Sequence, residues 1–303
     1  MRPYIIAALT CFLSLSAKAA QDKLWHADFE AAKQKAAQEN KDLLLHFSGS
    51  DWCGWCMKLS HEVLSKKAFA DEISEDFVMV NIDFPRRKEL APELSQQNAI
   101  LKAAYTVTSY PTIILCDSQG RPYARTGYRK ADANAYHEHI TRLRENKKTR
   151  DAGFAAAKNL KGIQKARTLE KALSLMPSSA FSFYENEALQ IHTADPDDVS
   201  GFYNRYLIQK TSTEVRSLAK PFLSKGNYKA LIEEVDHYIR ENKLTAEPLQ
   251  TALLVKLTTH YISKNHDEAL KCADKIIAIN DISNPGRYAT MLKKRLIRKA
   301  AGE

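Results

Sequence analysis

The sequence predicts an α/β domain, a mixed sheet with helices on both faces, followed by an all-α domain of helix hairpins. Three observations carry this. Between residues 25 and 147, short apolar runs of the kind that form buried strands alternate with helical patterns. From 151 to 303 no strand-like run occurs, and apolar residues recur at helical spacing. The polar stretch Lys147-Lys148-Thr149-Arg150 separates the two patterns. The expected division is an export signal over 1–19, the α/β domain over 20–148 and the helical domain over 149–303. With 303 residues the chain has room for two cores, and 44% hydrophobic with 27% charged residues is a globular balance.

The N-terminus is set apart by its own pattern. Arg2 gives a positive start, residues 4–15 form a short apolar run, and Ala17-Lys18-Ala19 offers the small residues read by an export peptidase. This resembles a secretory signal peptide, with cleavage expected after Ala19 or close to it and the periplasm as the expected destination. The run is shorter than the ~20 apolar residues of a spanning helix. Cys11 raises the question of a lipid anchor, but Ala8-Leu9-Thr10 is a poor match to the small residues that precede a lipidated cysteine, and no anchor is expected.

In chain order, Trp25 to Asn40 reads as an amphipathic, Ala-rich helix and Leu43 to Phe47 as a strand buried on both faces. Ser48-Gly49-Ser50-Asp51 is a turn in which Asp51 can cap the following helix. That helix starts near Cys53 and carries Cys56, Leu59 and Val63 along one face. Phe77 to Ile82 is a second strand, Pro85 to Ala104 a charged, helix-prone insertion and Thr112 to Cys116 a third strand. Asp117-Ser118-Gln119-Gly120 turns the chain into a hairpin strand over Pro122 to Thr126, and Ala131 to Asn146 closes the domain as a helix.

Helical stretches follow near 151–175, 180–192, 197–209, 212–224, 227–242, 246–263, 266–279 and 285–300. Gly226-Asn227-Tyr228-Lys229-Ala230-Leu231 and Asn265-His266-Asp267-Glu268-Ala269-Leu270 have the look of one unit used twice, a polar loop opening a helix with Ala-Leu. Helix pairs of this sort stack into tetratricopeptide-like arrays.

The chemistry centres on Trp52-Cys53-Gly54-Trp55-Cys56, between a buried strand and a helix. A thiolate is the attacking species in disulfide exchange, and a helix N-terminus favours negative charge through its unpaired N–H groups and its dipole. Cys53 is therefore the candidate nucleophile. Cys56, one turn on, faces back and can resolve a mixed disulfide at Cys53. Cys53, Cys56 and His61 would supply only three of the four ligands of a closed zinc site, so no metal is expected, and no cofactor. Cys116 and Cys272 read as buried apolar side chains.

The stretch 25–147 resembles the thioredoxin superfamily, in particular exported bacterial thioredoxin-like proteins carrying Phe-Ser-Gly-Ser-Asp-Trp-Cys-Gly-Trp-Cys, here residues 47–56. Thr108-Ser109-Tyr110-Pro111-Thr112-Ile113-Ile114 is similar to the family's cis-proline loop, and Asn81-Ile82-Asp83 to the end of its central strand. The resemblance implies an α/β thioredoxin fold and a thiol–disulfide oxidoreductase. It also implies a cis Pro111 beside the cysteines and substrate binding through the backbone of Tyr110. Trp55, in the exposed middle pair, is assigned to substrate contact and Trp52 to packing. His46 stands roughly where the family places a buried acid that relays the second cysteine's proton, and Met79 replaces a buried lysine. The Gly54-Trp55 dipeptide differs from the usual Gly-Pro and leaves the direction of electron flow open.

The expected partners are exported proteins with thiols or disulfides and a redox partner, for which a membrane electron donor is the candidate. Net charge is +9, or +7 without Arg2 and Lys18, with cations and acids interleaved and no aromatic-studded basic run. Nucleic acid is excluded as a partner on that ground. Two other readings compete: a client-binding protein dominated by its helical domain, and a disulfide isomerase.

Overall fold

A computed structural model describes residues 24–300. The export signal and Cys11 lie outside the described residues. The chain folds as β1 (Trp25–His26), α1 (Phe29–Gln38), β2 (Asp42–Ser48) and α2 (Gly54–Leu59), which continues as a π-helical turn over Ser60–Leu64. Then come α3 (Lys67–Asp76), β3 (Phe77–Asp83), α4 (Pro92–Ala104), β4 (Thr112–Cys116), β5 (Pro122–Gly127) and α5 (Ala133–Ala157). The five strands form one mixed sheet in the order β1-β3-β2-β4-β5. β1 and β2 run parallel to β3, while β4 is antiparallel to both β2 and β5. This is the expected α/β thioredoxin fold.

Strand alternation sends successive side chains to opposite faces. Leu43, Leu45 and Phe47 of β2 and Val78, Val80 and Ile82 of β3 pack with Phe29, Ala32 and Ala36 of α1 in an apolar core. The residues between them include His46, Ser48, Asn81 and Asp83, paired in register as His46 with Asn81 and Ser48 with Asp83.

Several elements differ from the sequence reading. Trp25 and His26 form a strand beside Met79 and Val80, where a helix was expected. Two residues are too few to show a period. The helix proper starts after Asp28, whose side chain accepts from Ala31 N at 2.9 Å. The helix expected from Pro85 begins only at Pro92, with proline in the first turn where its missing N–H is harmless. The closing helix α5 does not stop at Asn146. It runs through Lys147–Arg150, so the boundary placed at 148/149 falls inside it.

Arg150 is 1% exposed. Its guanidinium donates to Asp117 at 3.0 Å, Asp151 at 2.8 Å and the Tyr184 hydroxyl at 2.7 Å, and Asp117 in turn accepts from the amides of Gln119 and Arg121 in the β4–β5 turn. A buried guanidinium is tolerated only with its donors engaged. Backbone contacts divide the chain into one unit through Glu187 and a second from Ala188. The first unit thus also holds α6 (Gly162–Ser174) and a 3-10 segment over Ser178–Tyr184, and α7 (Glu185–Ala194) begins in it.

The second unit is all-helical: α8 (Phe202–Ser224), α9 (Tyr228–Glu241), α10 (Ala246–Ile262), α11 (His266–Ile279) and α12 (Asn284–Ala300). The two stretches expected at 197–209 and 212–224 are one helix, α8, with Pro221 in its last turn. The twice-used unit folds alike in both places. Gly226 and Lys264 take positive φ of 66° and 61°, and Asn227 and Asn265 then cap helices of 14 residues each. Cys272 lies in the core these helices share, and Cys116 in that of the sheet.

Candidate active site

The redox motif sits where β2 hands over to α2, and the turn between them is built by close approach. A Cβ on Gly49 would lie 2.5 Å from the Trp52 indole, so only glycine lets the ring fold over the backbone. Cys53 N donates to Gly49 O at 2.9 Å. Cys53 is the N-cap of α2, with extended φ and ψ of −87° and 102°. Its carbonyl accepts from the amides of Cys56 and Met57 at 3.0 Å, and its Sγ accepts from Cys56 N at 3.2 Å. The sulfur is thus held against the Cys56 amide at the helix start, which it shares with the Cys53 carbonyl.

Cys53 and Cys56 are joined as a disulfide, with their Cα atoms 5.2 Å apart. Cys53 is 7% exposed and Cys56 2%. Both residues are buried, Cys56 the more completely.

Asp51 does not cap the helix. Its carboxylate accepts from the amides of Arg86 at 2.9 Å and Arg87 at 2.7 Å, and these bonds hold it below the usual carboxylate range. The loop after β3 is thereby fastened to the motif. Trp52 Nε1 donates to Phe84 O at 2.7 Å, and Asp83 accepts from Ser50 N at 2.8 Å and Ser50 Oγ at 2.6 Å.

The Tyr110–Pro111 bond is cis. The Tyr110 ring contacts Trp52 at 5.7 Å and Phe84 at 5.4 Å between centroids, which brings the loop to the motif, and its hydroxyl has no partner. β5 closes over Pro111 at Gly127, where a Cβ would meet the Pro111 carbonyl at 2.8 Å. Trp55 is 58% exposed. Its ring lies 4.9 Å from that of Tyr128, the Lys58 ammonium sits 5.4 Å from each, and the Tyr128 hydroxyl donates to Glu62 at 2.9 Å.

His46 is buried on the face of β2 that looks towards α2. It shares with Cys56, Asn81, Asp83 and Ser60 the wall of a cavity of about 890 Å³. His46 Nε2 and Asn81 Oδ1 are buried without partners. Burial pushes the imidazole down to about 4, against the opposing pull of the Asp83 charge, so it is neutral at ordinary pH.

Sequence reasoning named Cys53, Cys56, Trp55, Tyr110, Pro111 and His46, and all of them lie in this unit. It gave no role to Asp83, Ser50 or Tyr128. Polar residues two apart in otherwise apolar strands, His46 and Ser48, Asn81 and Asp83, were the available signal for a polar layer under the motif. Tyr128, just past β5, carried none.

Residues 29–139 match the family model of a thioredoxin-like domain. The chain is 35% identical over 118 residues to the disulfide bond reductase DsbH of Chlamydia pneumoniae, covering 39% of this chain and 70% of that protein. It is 33% identical over 129 residues to the thioredoxin-related protein DsbJ of the same organism, covering 41% of this chain and 37% of that one. Among solved structures, a DsbH oxidoreductase matches at 32% identity over 39% of this chain and 82% of that chain, with a TM-score of 0.38.

Proposed function

The chain belongs to the thioredoxin-like family and is a thiol–disulfide oxidoreductase, and on that premise we propose that it reduces disulfides in exported proteins. The observation that carries the mechanism is the placement of Cys53 Sγ at the start of α2, accepting from an amide, with Cys56 one turn behind it. The direction of electron flow follows the reductase to which the domain is similar.

In the reduced enzyme, the Cys53 thiolate attacks one sulfur of a client disulfide. A mixed disulfide forms and the client's other sulfur leaves as a thiolate. Cys56 loses its proton and attacks Cys53 Sγ, closing the enzyme disulfide and releasing the second client sulfur. Two electrons pass to the client, and two protons complete its thiols. A further thiol reductant, the redox partner, returns two electrons to the Cys53–Cys56 disulfide.

His46 is the relay for the Cys56 proton in this reading. Its neutral imidazole can take a proton on one ring nitrogen as it gives one up from the other, and the cavity it shares with Cys56 supports the route. Tyr110 and Pro111 bind the client strand and Trp55 contacts it, as its exposure supports. The periplasm is the site of action, and no helix among the described residues is long and apolar enough to cross a membrane. The twice-used Asn-capped hairpin supports a tetratricopeptide-like stack that holds clients.

The test is dithiothreitol-driven reduction of insulin by the full chain. Wild type accelerates it, Cys53→Ser does not, and Cys56→Ser accumulates a mixed disulfide at Cys53. Insulin reduction by Cys53→Ser at the wild-type rate would contradict the mechanism.

A further inference from the structure

We propose that the surface around the Cys53–Cys56 disulfide selects clients whose reactive cysteine is flanked by Asp or Glu. This rests on the reductase reading and names the substrate class of the same site. The sequence shows no aromatic-studded basic run, but the fold assembles such a surface from separate segments. The Arg86 guanidinium lies 3.9 Å from the centroid of Trp52, the residue before Cys53. Lys58 lies over Trp55, between the two cysteines, and over Tyr128. Lys102 lies 5.1 Å from the ring of Tyr110, the residue before Pro111, and 5.2 Å from that of Phe84.

Each ring that frames the disulfide therefore carries a cation. A cation seated on a ring has less freedom than one on a bare surface, so its charge is presented in a fixed place. Arg87 and Lys88, next in the loop, are exposed, as are Arg129 and Lys130 beyond Tyr128. Among the described residues Arg86, Arg87, Lys88 and Lys102 enter no ion pair.

The acids in the same segments offset only part of this charge. Glu62 pairs with Lys58 at 3.8 Å and accepts from Tyr128, and Asp51 is turned to the amides of Arg86 and Arg87. With Glu89 they stand against Lys58, Arg86, Arg87, Lys88, Lys102, Arg129 and Lys130, so a net positive charge remains. An extended client strand laid beside Tyr110 and across the disulfide would bring its flanking residues over these cations. Carboxylates there gain attraction and faster encounter, and lysines meet repulsion. Stacked nucleobases are a poor fit, because Arg86 and Lys58 already cover the indoles.

The loop is held through backbone amides, so its side chains can be neutralised without releasing it. The experiment uses the pre-reduced full chain and three disulfide peptides that differ only in flanks of Asp, Ser or Lys, each followed to its dithiol in a single turnover. The expected second-order rate constant for the Asp peptide exceeds that for the Lys peptide by about tenfold at low ionic strength, and the ratio shrinks several-fold at about 0.5 M salt. The variant Arg86→Gln/Arg87→Gln/Lys88→Gln should bring the Asp:Ser ratio down by about threefold or more. Rate constants within twofold of one another in wild type, or an Asp:Ser ratio unmoved in the variant, would overturn the proposal. Failure to reduce even the Ser peptide would instead overturn the reductase reading beneath it.

Discussion

The two faces of the sheet differ most beneath the redox motif. On the α1 side, Leu43, Leu45, Phe47, Val78, Val80 and Ile82 pack into an apolar core, all but Val78 with no measurable exposure. On the α2 side the same two strands present His46, Ser48, Asn81 and Asp83 to a cavity shared with Cys56. The backbone is common to both, and only the parity of residue number differs. Close packing on one side fixes the sheet rigidly, which lets the other side keep unpartnered polar atoms and space next to a reactive sulfur.

The largest effect that could break this contrast is a truncation on each face. Leu45→Ala should cost about 3 kcal/mol, through lost transfer energy and the cavity left behind. Ser48→Ala, giving up only a 3.4 Å bond to Asp83, should cost less than about 1 kcal/mol. Trp25, Trp52 and Trp55 are the chain's three tryptophans and all lie in the first unit, so their fluorescence during urea unfolding reports that unit. Equal costs on the two faces would erase the distinction.

The next effect is a pH dependence. His46 is neutral in the folded protein, with its pKa at about 4 against an ordinary 6.5. As pH falls below 6.5 the unfolded chain takes up a proton that the folded one refuses. Stability is therefore lost between 6.5 and 4, and the loss levels off below that. Between pH 7 and pH 5 it should amount to about 2 kcal/mol, and His46→Gln should be flatter by that amount. A parallel pH profile for the variant would show that the histidine is not protected from protonation as described.

The smallest effect concerns the tie between the polar face and the motif. Asp83→Asn removes the charge from the bonds to Ser50 and should cost about 1 kcal/mol. It should also slow insulin reduction, because the Ser50 turn leads into Cys53. Unchanged turnover in a destabilised variant would leave Asp83 a structural residue only.

How much of this could be read from the sequence depends on how local the determinants are. β2, β3 and β4 are strands of five to seven residues, each built on a short apolar run, and each was legible from its own composition. So was the Cys53–Cys56 pair, whose spacing fits a strand-to-helix handover, and so were the Asn227 and Asn265 turns. β1 was not, since two residues carry no period. Arg150 is the clearest loss. It lies in a run of cations that reads as a solvated junction, yet partners at Asp117 and Tyr184, more than 30 residues away on either side, bury it. A chain cut at Lys148 would lose that anchor. The pairing of cations with aromatics was equally invisible, because Lys58 reaches Tyr128, Arg86 reaches Trp52 and Lys102 reaches Tyr110 only when the domain is assembled.

The most direct test of the central claim, that Cys53 and Cys56 form the working couple of a reductase, is a redox titration of the full chain against thiol buffers of known potential. Labelling of the thiols at each point gives the fraction oxidised. The account predicts one reversible two-electron transition, lost in Cys53→Ser, at a potential near the about −270 mV of thioredoxin. A midpoint near about −120 mV, the range of strong oxidants, or a pair that does not titrate reversibly, would contradict it.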